Sequence, residues 1–321
     1  MNNNKTFSIV IPVYQNENNL NDTIPKLLSL GERIPNYNLE LLFVDDGSTD
    51  SSLQILTQHA ERLPEVVKIV KLTRNFGQTA AIQAGLRYAN GDCVGIISAD
   101  LQEPHEKFID MIKEWEHGAM FVIGMRQERE EGKLHQMISG IYWRLVRKFA
   151  LPDFPELGYD FCLLSRQVVD DINHINEKNS SIFVLIYWLG YKPLCLPIKR
   201  KIRKEGTSQW SLWRKIRFTC DTLIGFTYLP ARLITYMGFI VSVLSVLYLS
   251  VMFLLWFFLK ASPAGWMSVI GLLSLLGAAM LFSLGILSEY LLRILDESRK
   301  RPQYVVERFI ENESHKSRDN S

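Results

Sequence analysis

CVGIISADLQEP, residues 93–104, decides how the rest of the chain is read. The apolar run at 94–97 ends abruptly in Ser98-Ala99-Asp100-Leu101-Gln102. A short apolar run bounded by polar residues is the pattern of a buried strand in a parallel sheet. Ligands of open α/β sheets bind just beyond the carboxyl ends of such strands. Asp100 and Gln102, two residues apart at that edge, offer hard oxygen donors suited to a Mg²⁺ or Mn²⁺ that also holds phosphate. Taken alone, the same residues also read as a turn in which Asp100 caps the helix after Pro104.

The flanking sequence repeats the pattern. Apolar, β-branched runs at 7–13, 39–44, 66–72 and 120–125 alternate with segments of helical spacing at 18–30, 51–63, 78–89 and 106–117. Strand–helix alternation of this kind predicts an α/β fold with a parallel, doubly wound sheet. Three strand ends carry polar groups: Tyr14 to Glu17, Asp45-Asp46, and Ser98 to Gln102. In a parallel sheet these ends share one edge, so carboxylates distant in sequence converge. Neither GxGxxG nor GxxxxGK[ST] follows the first strand, which argues against a dinucleotide site or an ATPase loop. A nucleotide held by carboxylates at ribose and base, with its diphosphate on a divalent metal, fits better.

A net charge of +2 over 321 residues is too small to suggest nucleic acid. Residues 233–259 and 266–287 carry no charge, and each run exceeds the ~20 apolar residues that span a bilayer as a helix. We expect two membrane helices joined by KASPAG at 260–265. Basic residues precede the first run, among them Lys199, Arg200, Arg203, Arg214 and Arg217, and follow the second, among them Arg293 and Arg299. The positive-inside rule then places both flanks and both termini in the cytoplasm, with the chain in the inner membrane. The start of the sequence lacks a signal-peptide apolar region. Cys93, Cys162, Cys195 and Cys220 show no CxxC spacing and are expected to be reduced. The six histidines form no HExxH cluster, against a zinc site.

The expected division is a cytosolic catalytic domain at 1–209, juxtamembrane interfacial helices at 210–232, a transmembrane hairpin at 233–292 and a basic, polar tail at 293–321. The tail is expected to be disordered after Glu311. Residues 132–150 have an apolar stripe that suits either the core or a bilayer interface. The case for the interface is stronger at 210–228, where Trp210 and Trp213 stand among basic residues. Arg200 and Arg203 would share one face of a helix, or span a phosphate if extended, and the guanidinium fork suits phosphate oxygens. Asp160, in GYDFCLLSR, stands near a strand start as a candidate base or acceptor-positioning group.

Four stretches, IPVYQNENNL (11–20), VDDGSTDSS (44–52), RNFGQTAAIQAGL (74–86) and ISADLQEP (97–104), resemble glycosyltransferase family two. More narrowly, they are similar to its polyprenyl-phosphate glycosyltransferases, such as dolichyl-phosphate mannose synthases and bacterial bactoprenol glucosyl- and aminoarabinosyl-transferases. The similarity runs from Phe7 to about Arg308 and includes the two apolar runs. It implies a GT-A fold, a nucleotide-sugar donor and a polyprenyl-phosphate acceptor in the bilayer. By motif, Pro12, Tyr14, Val44 and Asp46 match positions at base and ribose. Ser98, Ala99 and Asp100 match the DxD-type element, with Asp100 and Gln102 as metal ligands. Arg126 matches an arginine at the phosphates, and Arg203 with Gly206 matches a basic segment over diphosphate and acceptor.

Three positions depart from the family pattern. Ser98 stands where aspartate is usual, Asn16 takes a glutamate position with Glu17 beside it, and Gln209 stands where lysine is common. The resemblance implies an inverting, metal-dependent hexosyl transfer, with UDP-glucose as the first donor to test. Two other readings stay open: a decayed transferase acting as a membrane scaffold, and a processive polysaccharide synthase. The latter resembles proteins with a QxxRW element, which this chain lacks. Oligomeric state is left open, since the apolar runs contain no clear GxxxG pair.

Overall fold

Period-two runs of apolar residues build the centre of one sheet. In the computed structural model, the described residues are 4–126, 144, 147–148, 151, 154–155, 159–175, 177, 180–199, 229–259 and 265–311. The strands are β1 (Lys5–Val13), β2 (Tyr37–Asp45), β3 (Val67–Leu72), β4 (Cys93–Ile96), β5 (Phe121–Arg126), β6 (Cys162–Ser165), β7 (Leu194–Ile198) and β8 (Val306–Ile310). Between them run α1 (Glu17–Arg33), α2 (Ser52–Arg62), α3 (Gln78–Tyr88), a 3-10 turn (His105–Lys107), α4 (Phe108–Glu116), α5 (Arg166–Asn173) and α6 (Ile182–Trp188). The strand order is β7-β5-β6-β4-β1-β2-β3-β8.

Strand alternation sends residues of β1 to opposite layers. Phe7, Ile9, Ile11 and Val13 join Leu20, Ile24 and Leu27 of α1 and Phe108 of α4 in one apolar cluster. The Phe108 ring meets Phe7 edge-on at 5.3 Å between centroids. Each fully buried Phe, Leu or Ile here stabilises the fold by roughly 1.5–3 kcal/mol. On the other face α3 lies so close that a Cβ on Gly85 would sit 2.3 Å from Cγ1 of Val10 and 3.0 Å from Cγ2 of Val44. Glycine at that position is what lets the helix approach.

The sheet is mixed, whereas the alternation predicts it parallel. β1, β2, β3 and β4 are parallel neighbours as expected. β6, however, inserts antiparallel between β4 and β5, and β8 adds antiparallel to the outer edge of β3. Both strands are short, and their partners lie far away in sequence, so no local periodicity announces them.

The chain forms two units: Met1–Arg217 with Pro302–Ser321, and Phe218–Arg301. The second holds α7 (Leu229–Leu259) and α8 (Trp266–Ser298). Both helices are long and apolar enough to cross a membrane, over Ile234–Leu255 and Gly271–Leu295. This division differs from the expected one at its far end. α8 runs on past residue 292, and part of the expected 293–321 tail returns to the first unit as a strand of its sheet. Cys93, Cys162 and Cys195 are free thiols. Arg200, Arg203, Gly206, Gln209, Cys220, the interfacial segment at 210–228 and most of 132–150 lie outside the described residues, as does the tail after Glu311.

Candidate active site

The loops after β1 and β2 are knitted together by hydrogen bonds. Asp46 N–H donates to the Val13 carbonyl at 2.8 Å, extending the strand pairing by one step. Gln15 donates its N–H to Ser48 Oγ at 3.1 Å and its side-chain amide to Thr49 Oγ1 at 3.3 Å. Asn16 N–H reaches Ser52 Oγ at 2.8 Å. Glu17 N–H donates to Asp50 Oδ2 at 3.2 Å, and the Glu17 carboxylate accepts Ser51 N–H at 2.9 Å. Gln15 takes a left-handed backbone, φ 53°, which is uncommon for a residue with a side chain. Tyr14 beside it is half-buried.

Asp46 is 3% exposed, and its carboxylate receives the backbone N–H groups of Phe76 at 2.7 Å and Gly77 at 2.8 Å. Gly47 makes room for that loop: its φ is +70°, and a Cβ there would lie 2.5 Å from the Arg74 carbonyl carbon. The Arg74 guanidinium sits over the Phe76 ring at 4.2 Å. Asp45 is fully buried; Oδ1 accepts Ser48 N–H at 3.2 Å, while Oδ2 has no hydrogen-bond partner among the described residues. Burial pushes both carboxyls above their ordinary value, and for Asp46 the Phe76 and Gly77 donors pull the other way. Val44 pairs with Pro12 across the strands, and its side chain is buried beneath α3.

The neighbouring strand end, after β4, carries the second cluster. Ile97 N–H reaches the Val10 carbonyl at 3.2 Å, and the Ala99 carbonyl accepts Thr23 Oγ1–H from α1 at 2.7 Å. Leu101 has φ 45°, and this turn brings Gln102 back to Asp100, Nε2 to Oδ2 at 2.5 Å. Ser98 Oγ lies 2.7 Å from Asp100 Oδ1 and 3.0 Å from Glu103 Oε2. Arg126, the last residue of β5, pairs with Asp160 and stands 3.7 Å from Glu103. Its Nε is buried with no hydrogen-bond partner among the described residues.

One hydroxyl donates one proton, and ionised carboxylates only accept. The one Ser98 hydroxyl proton therefore serves Asp100 or Glu103, not both at once. A cation beside Asp100 would relieve this. The described residues contain no group of three or more His, Cys, Asp or Glu placed to hold a metal. The donor set would be Asp100, the Gln102 amide oxygen after a flip of that amide, and oxygens from ligand and water. Mg²⁺ suits such a sparse set because it usually retains several waters.

The family model described as Glycosyl transferase family 2 matches residues 8–172, from β1 to α5. The chain belongs to glycosyl transferase family 2. It is 34% identical over 303 residues to the uncharacterized glycosyltransferase YkcC of Bacillus subtilis (strain 168), covering 94% of this chain and 93% of that protein. It is 32% identical over 303 residues to the bactoprenol glucosyl transferase of Shigella phage SfV, covering 93% and 97%. Among solved structures it is similar in fold to glucosyl-3-phosphoglycerate synthase from Mycobacterium tuberculosis, with a TM-score of 0.50, 15% identity, and 68% and 79% of the two chains covered. Mannosyl-3-phosphoglycerate synthase from Rubrobacter xylanophilus gives a TM-score of 0.50 at 17% identity, covering 73% and 75%. The architecture is GT-A, as the motifs imply.

For this family 2 glycosyltransferase, the structure places the sequence candidates in two clusters on adjacent strand ends. Pro12, Tyr14, Glu17, Val44 and Asp46 belong to the β1–β2 cluster. Ser98, Ala99, Asp100, Gln102, Arg126 and Asp160 belong to the β4–β5 cluster. Sequence reasoning did not single out Glu103, Thr23 or the Phe76 and Gly77 amides. Glu103 had a visible signal, an acid within ISADLQEP. The others act through contacts no pattern announces.

Proposed function

We propose that the protein transfers glucose from UDP-glucose to a polyprenyl phosphate, undecaprenyl phosphate in the first instance, with inversion at the anomeric carbon. One observation carries this reading: the similarity to a bactoprenol glucosyl transferase extends over 93% of the chain, through both apolar helices as well as the sheet. In this reading the two helices cross the inner membrane and their basic flanks lie in the cytoplasm.

The β1–β2 cluster holds the nucleoside. Tyr14 offers a ring beside the base, Asp46 fixes the loop that closes over it, and Pro12 and Val44 supply backbone. Glu17 acts on the loop, where its carboxylate accepts Ser51 N–H. The β4–β5 cluster takes the diphosphate. Asp100 and Gln102 would hold Mg²⁺ or Mn²⁺, which when bound supplies positive charge to the departing diphosphate. Arg126 adds fixed positive charge, held in place by Asp160 and Glu103, with its buried Nε as a remaining donor. Arg200 and Arg203 have the chemistry to bind diphosphate or acceptor phosphate, and Gln209 follows them in the same basic segment. The acceptor phosphate is already anionic near pH 7, so no strong base is required. Its oxygen forms the new bond to the anomeric carbon as the bond to UDP breaks, and Asp160 helps position it through the Arg126 guanidinium with which it pairs.

The test is transfer of labelled sugar from a panel of UDP- and GDP-sugars to undecaprenyl phosphate by purified full-length protein, with and without Mg²⁺. Label entering lipid from UDP-glucose, with a β-linked product, supports the reading. Transfer from another donor alone corrects the sugar. A folded protein that binds no nucleotide overturns the reading and returns the scaffold alternative.

A further inference from the structure

We infer that the segment after α8, residues 302–311, is a positioning element for the donor site: it grips the first arm of the loop that holds Asp46. The inference rests on the proposed nucleoside role of the β1–β2 cluster.

The loop at 73–77 joins β3 to α3 and donates its Phe76 and Gly77 amides to Asp46. Its first arm is bound by β8. Thr73 N–H donates to the Val305 carbonyl at 3.0 Å, and Leu72 pairs with Val306. The register then jumps from Val306 opposite Leu72 to Arg308 opposite Lys71, so Glu307 is an extra residue in a bulge. Bulges of this kind re-aim a strand where the ladder ends and are frequent beside active sites. Glu307 turns its carboxylate to Lys71 Nζ at 2.7 Å, and Glu311 reaches Lys68 Nζ at 2.5 Å. At the far, C-terminal end of α3, away from the loop, the Phe309 ring packs on Tyr88, with centroids 4.8 Å apart.

The loop is therefore fixed at its first root by a segment that the first unit recovers only after the two long helices. Residues 299–301 alone separate the end of α8 from that segment. Nothing else described at the outer edge of β3 pairs with it.

The experiment compares the full-length chain with one ending at Arg301 and one ending at Glu311. Hydrogen exchange at the Phe76 and Gly77 amides is read without nucleotide, and UDP-glucose KM and kcat are measured in the lipid assay. The Arg301 truncation should exchange those amides about tenfold faster and raise donor KM about tenfold, with kcat at saturation held within twofold. The Glu311 truncation should match the full chain. Glu307→Lys, which keeps every backbone element, should raise donor KM roughly threefold, and adding Lys71→Glu should restore it. If the Arg301 truncation does not fold, this charge-swap pair decides. Unchanged exchange and KM in the truncation, or no rescue in the pair, overturns the inference. A full-length chain that takes up no UDP counts against the donor-site reading instead, and the amide exchange still decides this one.

Discussion

Asp45 and Asp46 are adjacent in sequence, yet their surroundings differ. Asp46 meets two backbone donors, while Asp45 keeps one oxygen buried without a hydrogen bond among the described residues. A carboxyl raised by burial stabilises the fold when protonated. That contribution is fully present below its unfolded value near 3.8 and is lost as pH rises through the folded value. Asp45→Asn keeps the acceptor for Ser48 N–H and removes the buried charge. It should raise Tm at pH 7 by about 2–4 °C and have no effect near pH 3, checked by thermal melts at both values. At the other cluster, Asp100→Ala should abolish transfer. Glu103→Gln, which loosens Arg126 and releases Ser98, should lower kcat about tenfold to a hundredfold with donor binding largely kept, measured in the transfer assay.

Across the middle of the sheet runs a chain of polar groups that ties strands together. Glu40 of β2 is 4% exposed and accepts from Ser8 of β1 and from Asn90 N–H at 3.0 Å, and it pairs with Lys68 of β3 at 2.9 Å. Burial works against its charged form, but the Ser8, Asn90 and Lys68 contacts together hold the carboxyl below its ordinary value. Such a group stabilises the fold above its unfolded value of about 4.5, and the contribution is lost as pH falls through the folded value. Glu40→Gln should cost about 1.5–3 kcal/mol at pH 7 and progressively less below pH 4, checked by denaturant melts across that range. The strands carrying this line were legible because apolar residues alternate along β1 and β2. The line itself was not, since Ser8, Glu40 and Lys68 look like ordinary strand-surface residues until the registers are set.

For the whole molecule, ligand linkage tests the site as a unit. A ligand that binds only the native state stabilises it by about 2.7 kcal/mol at a hundred times its Kd. UDP with Mg²⁺ should raise the Tm of the full-length protein in detergent more than UDP with chelator does, and Asp100→Ala should erase that difference while leaving the UDP-only shift.

By itself the sequence determined the strand–helix alternation, the two long apolar helices and the polar strand ends, because periodicity, run length and turn chemistry are local properties. It also placed Asp46, Asp100 and Gln102 at one sheet edge, which follows once neighbouring strands are parallel. Tertiary structure alone decided that the sheet is mixed and that Val306–Ile310 closes its edge. It alone set Ser98 between Asp100 and Glu103, and Asp46 on the amides of Phe76 and Gly77. These contacts depend on which strands lie side by side and in what register. Pairings between distant segments are chosen by the packing of the whole sheet, and a short stretch such as VERFI carries no local preference strong enough to reveal its partner.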